Sequence, residues 1–175
     1  METGLPEASF DAVTNGFGMP HLPDPPAAMA EAARLLKPGA PFAYSVWAGD
    51  APDSALAIVF GAIARHGDPA IALPPGPGAT DYADPERAFP ALEAAGFEAP
   101  RLKRVDSHWQ ADRADAPFDF FLHGTARGGA LLRPQPPDRA EAIRQAVAEA
   151  VMAAHGTGTH WTIPIPSVVI SATRA

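Results

Sequence analysis

A strand, a turn, a helix and a second strand follow one another within the first 47 residues, and this series constrains the fold more than any other stretch. Residues 10–25 read FDAVTNGFGMPHLPDP. Phe10, Ala12 and Val13 mark a short apolar strand over 10–14, which runs into the glycine-containing turn Asn15-Gly16-Phe17-Gly18. Asp24 offers an N-cap, with Pro25 at the first helical position, where its missing N–H does no harm. Met29, Ala32, Ala33 and Leu36 recur at helical spacing and give one apolar face. Lys37-Pro38-Gly39 ends that helix, and residues 41–47, PFAYSVW, form a β-rich run short enough to be a buried strand. Two strands joined through a helix are parallel, with a right-handed crossover. In an open α/β sheet, ligands sit beyond the carboxyl ends of such strands. The loop 15–23 is therefore read as the rim of a small-molecule site; a strand–turn–helix corner without a ligand is the competing reading.

Downstream, a second helix opens at Asp53 and carries Leu56, Val59, Phe60 and Ile63 on one face before stopping near His66-Gly67. Residues 68–84 hold too many prolines and glycines for regular structure, as lids and binding loops often do. Asp84-Pro85 starts a third helix, which Pro90 limits to one turn before it resumes over 91–95. Gly96-Phe97 closes it in a Schellman arrangement. Residues 101–109 read as a third strand, polar enough to lie near an edge. A short helix opens at Asp115-Ala116-Pro117 with Phe118, Phe121 and Leu122 on one face. Asp138 and Glu141 make an acidic capping box for a longer helix that turns Ile143, Val147, Ala150, Val151 and Ala154 inward. Residues 159–173, with Trp161, Ile163 and Ile165 alternating, read as one long strand interrupted at Pro164 and Pro166. A chain of 175 residues suits one domain, 1–175, within which 110–156 is a helical insertion.

Charge and residue usage narrow the functional classes. A formal net charge of −7 argues against nucleic acid or an anionic membrane as partner. The thin basic run Arg101-Leu102-Lys103-Arg104 suits a solvated edge strand. With no cysteine, disulfides, thiolate metal sites and cysteine nucleophiles are excluded. The first ten residues have neither the basic region nor the apolar core of a signal peptide, and no run is long enough to span a membrane, which marks a cytoplasmic type of chain. Six histidines, at 21, 66, 108, 123, 155 and 160, show no close helical pairing, so a metal site is not expected. There is no G-x-S-x-G elbow, no phosphate loop of the G-x-x-x-x-G-K-[ST] type, and no G-x-G-x-x-G between a strand and a helix. No nucleophile stands out.

LPEASFDAV, then NGFGMPHLPDP, then MAEAARLLKPGAPFAYSVW together resemble the middle of class I S-adenosylmethionine-dependent methyltransferases, in the branch that includes the ubiquinone/menaquinone-biosynthesis enzymes. LEAAGF before a strand and WTIPIPSVVISATR as an antiparallel last strand are similar to that family too. The resemblance implies an α/β fold: an incomplete Rossmann-like methyltransferase sheet, its last four strands, the final one antiparallel, with helices on both faces. It implies a cofactor site in which the backbone at Met1 and Glu2 lies near the adenine, with Asn15, Gly16 and Phe17 near the methionine moiety. Substrate would touch Met19, His21, Trp47 and Phe121. Methyl transfer then depends on holding acceptor and donor in line, with no covalent residue, and His21 is the candidate base.

One departure outweighs these likenesses. The family's glycine-rich loop after its first strand, and the acidic residue after its second, have no counterpart here. The expectation is that the chain corresponds to the C-terminal half of a methyltransferase, doubtful as a cofactor binder alone. The 10–14 strand then becomes an open edge that favours self-association or capture of an N-terminal half. The competing function is a non-catalytic remnant that associates through that edge.

Overall fold

The computed structural model describes residues 2–175. Among them, strands and α-helices follow in the order β1 (Val13–Gly16), α1 (Pro25–Leu35), β2 (Pro41–Trp47), α2 (Ala55–His66), α3 (Pro85–Ala94), β3 (Phe97–Val105) and β4 (His108–Ala111). Then come α4 (Ala116–Gly124), α5 (Ala126–Leu132), α6 (Pro137–His155), β5 (Trp161–Pro164) and β6 (Ser167–Arg174). These elements form two compact units. One comprises the residues up to Gly49 together with Pro75–Val105 and Ser167–Ala175. The other comprises Asp50–Pro74 and Asp106–Pro166, and the expected insertion over 110–156 falls wholly inside it.

The first unit is built on a four-stranded sheet in the order β1-β2-β6-β3. β1 and β2 are parallel, with Asn15 opposite Tyr44 and Gly16 opposite Ser45. The last strand, β6, is antiparallel to both β2 and β3 and lies between them. This is the mixed α/β sheet expected, with its final strand reversed. Phe42, Tyr44, Val46, Val168 and Ile170 are buried and pack with Met29, Leu36 and Leu92 in one core. Asp24 caps α1 as its sequence foretells, its carboxylate accepting from the Ala27 amide at 3.0 Å.

The first strand begins later than its apolar residues suggest. Phe10 makes only an isolated parallel bridge to Leu36 and is 37% exposed. The reason lies at the end of α1, whose last carbonyls have no partner inside the helix. The Ala8 amide donates to the Arg34 carbonyl, while Ser9 and Phe10 donate to that of Leu35. Asn15 and Gly16 accordingly belong to β1, and the turn starts at Phe17. In α3, Pro90 sits inside a continuous helix that it does not divide. Gly96 follows at φ +90° and donates to the Glu93 carbonyl, the inner of the two bonds of a Schellman arrangement.

The second unit packs α2, α4 and α6 around Ile58, Val59, Phe118, Phe121, Ile143, Val147 and Val151, with a two-stranded antiparallel sheet of β4 and β5. Ser54, not Asp53, caps α2, accepting from the Ala57 amide at 3.2 Å. Asp115 makes no cap bond at α4; its carboxylate accepts from Arg144 at 2.7 Å instead. The capping box at Asp138 does not form either, because α6 already starts at Pro137 and Asp138 lies within its first turn. Ala154 is exposed, one turn beyond the buried stripe that ends at Val151.

Two long strands of the sequence reading are each divided. The expected 101–109 strand starts at Phe97, stops at Val105 and resumes as β4. The expected 159–173 strand is β5 and β6, interrupted where Pro164 and Pro166 supply no N–H; between them Ile165 donates to the Ser107 carbonyl at 2.8 Å.

Candidate functional site

The first unit gathers its chemistry at the carboxyl ends of its two parallel strands. β1 ends at Gly16, and the backbone turns at Phe17 with φ +55°. A bulky aromatic residue in the left-handed region is an outlier that its surroundings must hold in place. Here the Phe17 amide donates to both acceptors of Ser45, the carbonyl at 3.0 Å and the hydroxyl at 3.3 Å. One residue on, the Gly18 amide donates to Asn15 Oδ1 at 2.8 Å. A Cβ at Gly18 would lie 2.5 Å from that same oxygen, so glycine lets the carboxamide close the turn. The His21 amide then bonds the Gly18 carbonyl at 2.9 Å, closing a short 3-10 turn over Met19–His21.

This wiring puts the Phe17 ring against Trp47, the last residue of β2, with centroids 4.4 Å apart and planes tilted by 39°. Phe17 is 36% exposed and Trp47 half-buried, so the pair presents an aromatic surface. Beside it a Cβ on Gly16 would meet nothing within 4 Å, which leaves the strand backbone approachable. An open backbone next to π faces suits a planar or cationic group.

The other expected site residues are placed differently. Met19 is 1% exposed and part of the core. His21 is exposed, and its ring has no hydrogen-bond partner among the described residues. Glu2 is exposed, and Met1 lies outside the described residues. Phe121 is in the other unit, 1% exposed, and edge-on to Phe60 at 5.7 Å. Asn15, Gly16, Phe17 and Trp47 thus come together at one strand end. Ser45 is a positioning residue that the sequence reading does not single out; a lone serine inside the apolar run PFAYSVW is the available signal.

Of the proline-rich stretch 68–84, the part in this unit is anchored. Tyr82 is 6% exposed, and the Tyr44 hydroxyl donates to its carbonyl at 3.0 Å. Burial, then the neighbouring Tyr82, pushes the Tyr44 phenol well above its ordinary range, so it stays a donor. The Arg87 guanidinium lies 5.1 Å over the Tyr82 ring and pairs with Asp81 at 3.0 Å. Gly49 approaches Thr80 so closely that a Cβ there would sit 3.1 Å from the threonine Cβ.

A second constellation fixes the N-terminal segment. Glu31, 7% exposed, accepts from the Thr3 amide at 2.9 Å and hydroxyl at 2.6 Å, and from Arg34 Nε at 2.8 Å. Hydrogen bonds from Arg34 first, then Thr3, hold its carboxyl far below the usual carboxylate range. Arg34 also donates to the Leu5 carbonyl at 2.9 Å. Among the described residues no group of three or more His, Asp or Glu side chains is placed to hold a metal ion, and no helix is long and apolar enough to cross a membrane.

No curated protein matches this chain at a significant level. Residues 1–44 match the family model described as a methyltransferase domain, a span that includes β1, the turn after it, α1 and the start of β2. Among solved structures, a candidate methyltransferase from Bacillus halodurans C-125 aligns with a TM-score of 0.52 at 17% identity, over 98% of this chain and 67% of its own. The YcgJ protein of Bacillus subtilis aligns with a TM-score of 0.54 at 18% identity, over 98% of this chain and 66% of its own. The chain spans about two thirds of the length of these two structures. Its fold is the Rossmann-like α/β fold of such methyltransferase structures, and its first 44 residues carry the methyltransferase-domain match.

Proposed function

We propose that this chain takes part in S-adenosylmethionine-dependent methyl transfer to a small-molecule acceptor, in the manner of the ubiquinone/menaquinone-biosynthesis branch. The observation that carries the reading is the turn that starts at Phe17 after β1, inside the methyltransferase-domain match and against Trp47. When bound, the donor supplies an electrophilic methyl group on a sulfonium centre. The residues present suit its methionine end: approachable backbone at Gly16 and aromatic faces of Phe17 and Trp47, which attract a cationic centre. Glu2 takes the adenine side. His21, on the same loop, accepts the proton when the acceptor must lose one. Met19 and Phe121 are each buried in the core of their own unit. The chain works in the cytoplasm, with neither nucleic acid nor membrane as partner.

The open side of β1 supports a finer reading. Among the described residues β1 is an edge strand with β2 as its neighbour, and an open edge is a template for further pairing. We infer that a further strand adds there, from an N-terminal half or a second copy, and completes the donor site. The same open edge favours the alternative of a non-catalytic remnant that associates through it. Calorimetry with S-adenosylmethionine, on the chain alone and with an added N-terminal segment of a related methyltransferase, decides between them. Micromolar binding that Phe17→Ala and Trp47→Ala each weaken at least tenfold supports the proposal. Absence of binding under both conditions refutes it in favour of the remnant.

A further inference from the structure

The second unit holds a cavity of about 460 Å³ between α4, α5 and α6, within the range of roughly 300–1,000 Å³ typical of small-molecule sites. Its apolar lining comes from Phe118, Leu122 and Leu132, and its charged lining from Arg133, Glu141 and Arg144. The two arginines differ in what they face. Arg144 is compensated: it donates to Asp115 at 2.7 Å and Asp119 at 2.9 Å and lies 4.2 Å over the Phe118 ring. Arg133 has no hydrogen-bond or ion-pair partner for its guanidinium among the described residues.

The fold makes room for that unpaired guanidinium. Adjacent glycines inside a helix cost about 1 kcal/mol each relative to alanine, yet the seven-residue α5 holds Gly128 and Gly129. At Gly128 a Cβ would come within 2.6 Å of the Phe121 carbonyl, so the residue allows α5 to approach α4. At Gly129 a Cβ would sit 3.0 Å from both Arg133 Cζ and the Leu122 carbonyl, so the guanidinium lies where a side chain would otherwise be. Glu141 opposes an anion here, although its carboxylate already accepts from Gln145 at 3.0 Å.

We infer that this cavity binds a small carboxylic acid with an apolar body, its carboxylate paired with Arg133 and its body against Phe118, Leu122 and Leu132. The lining residues all belong to the second unit. Titration calorimetry of the whole chain with 4-phenylbutyrate, 4-phenylbutan-1-ol and 4-phenylbutylamine tests it. The acid binds at least tenfold more tightly than the alcohol, and the amine more weakly still. Arg133→Gln, an exposed position whose circular dichroism stays unchanged, abolishes the preference for the acid, whereas Glu141→Gln tightens the acid several-fold. Equal binding of acid and alcohol, a preference that survives Arg133→Gln, or no binding of the acid at millimolar concentration overturns the inference.

Discussion

Replacing Phe17 separates backbone strain from ring packing, and the two effects predict an inverted order of stability. At an ordinary position glycine is about 0.5–1 kcal/mol worse than alanine, because it loses more chain freedom on folding. At φ +55° the balance reverses, since the left-handed conformation costs an L-residue roughly 1–2 kcal/mol and glycine nothing. Phe17→Ala keeps this strain and removes the contact with Trp47, worth about 0.5–1.5 kcal/mol beyond area for a ring pair. The first unit should therefore lose about 2 kcal/mol in the alanine variant. Phe17→Gly loses the same contact but relieves the strain, and should lie about 1 kcal/mol above the alanine variant. Native-state hydrogen exchange of the β2 amides reports this unit separately, whereas a global melt mixes two units. If the alanine variant is as well protected as the glycine variant, residue 17 is not held left-handed, and the account of the turn fails.

Gly18→Ala should cost about 1 kcal/mol, because its Cβ expels the Asn15 carboxamide from the Gly18 amide; loss of protection at that amide in hydrogen exchange checks it. Ser54→Ala should destabilise α2 by about 1 kcal/mol, read as faster exchange through its first turn with the β2 amides unchanged. The Glu31 clamp should depend on pH with a definite sign. Because Arg34 and Thr3 depress its folded pKa, its stabilisation is full above the ordinary glutamate value of about 4.3 and is lost as pH falls through the lowered folded value. Protection of the Thr3 amide should thus fade only in strong acid, and Glu31→Gln should remove that dependence. Asp119, depressed by hydrogen bonds from Arg144 and then Arg113, should behave alike for the packing of α4 on α6, with Asp119→Asn as the control.

The parts of the fold legible in the sequence are those where local chemistry and burial agree. β2 is one: PFAYSVW alternates, follows Gly39 at φ +79°, and occupies the residues expected. The Asp24-Pro25 helix start is another. The failures arise where a distant partner overrides the local signal. Asp115 has the position and chemistry of a cap, but Arg144, far along the chain, takes its carboxylate. Phe10 is apolar enough for a strand, yet the orphan carbonyls of α1 claim its amide. Nothing in the period of residues 97–111 marks the break at Asp106-Ser107, because both flanking segments remain strand-like while pairing with different partners. Within the candidate site, Asn15, Gly16 and Phe17 could be read as a turn by composition. That Phe17 stands in a left-handed conformation and leans on Trp47 depends on Ser45, and no short-range pattern encodes that contact.

The position of β6 bears on how the chain is made. The eight-residue β6 follows β2 and β3 in the chain, yet it is inserted between them. Until it emerges, β2 has only β1 to pair with among the described strands, and β3 has no described neighbour. Residues 48–166 are therefore all made before the slot beside β2 is filled, a period in which nascent chains are open to chaperones and to mispairing. A chain cut before Ser167 would leave that slot unfilled.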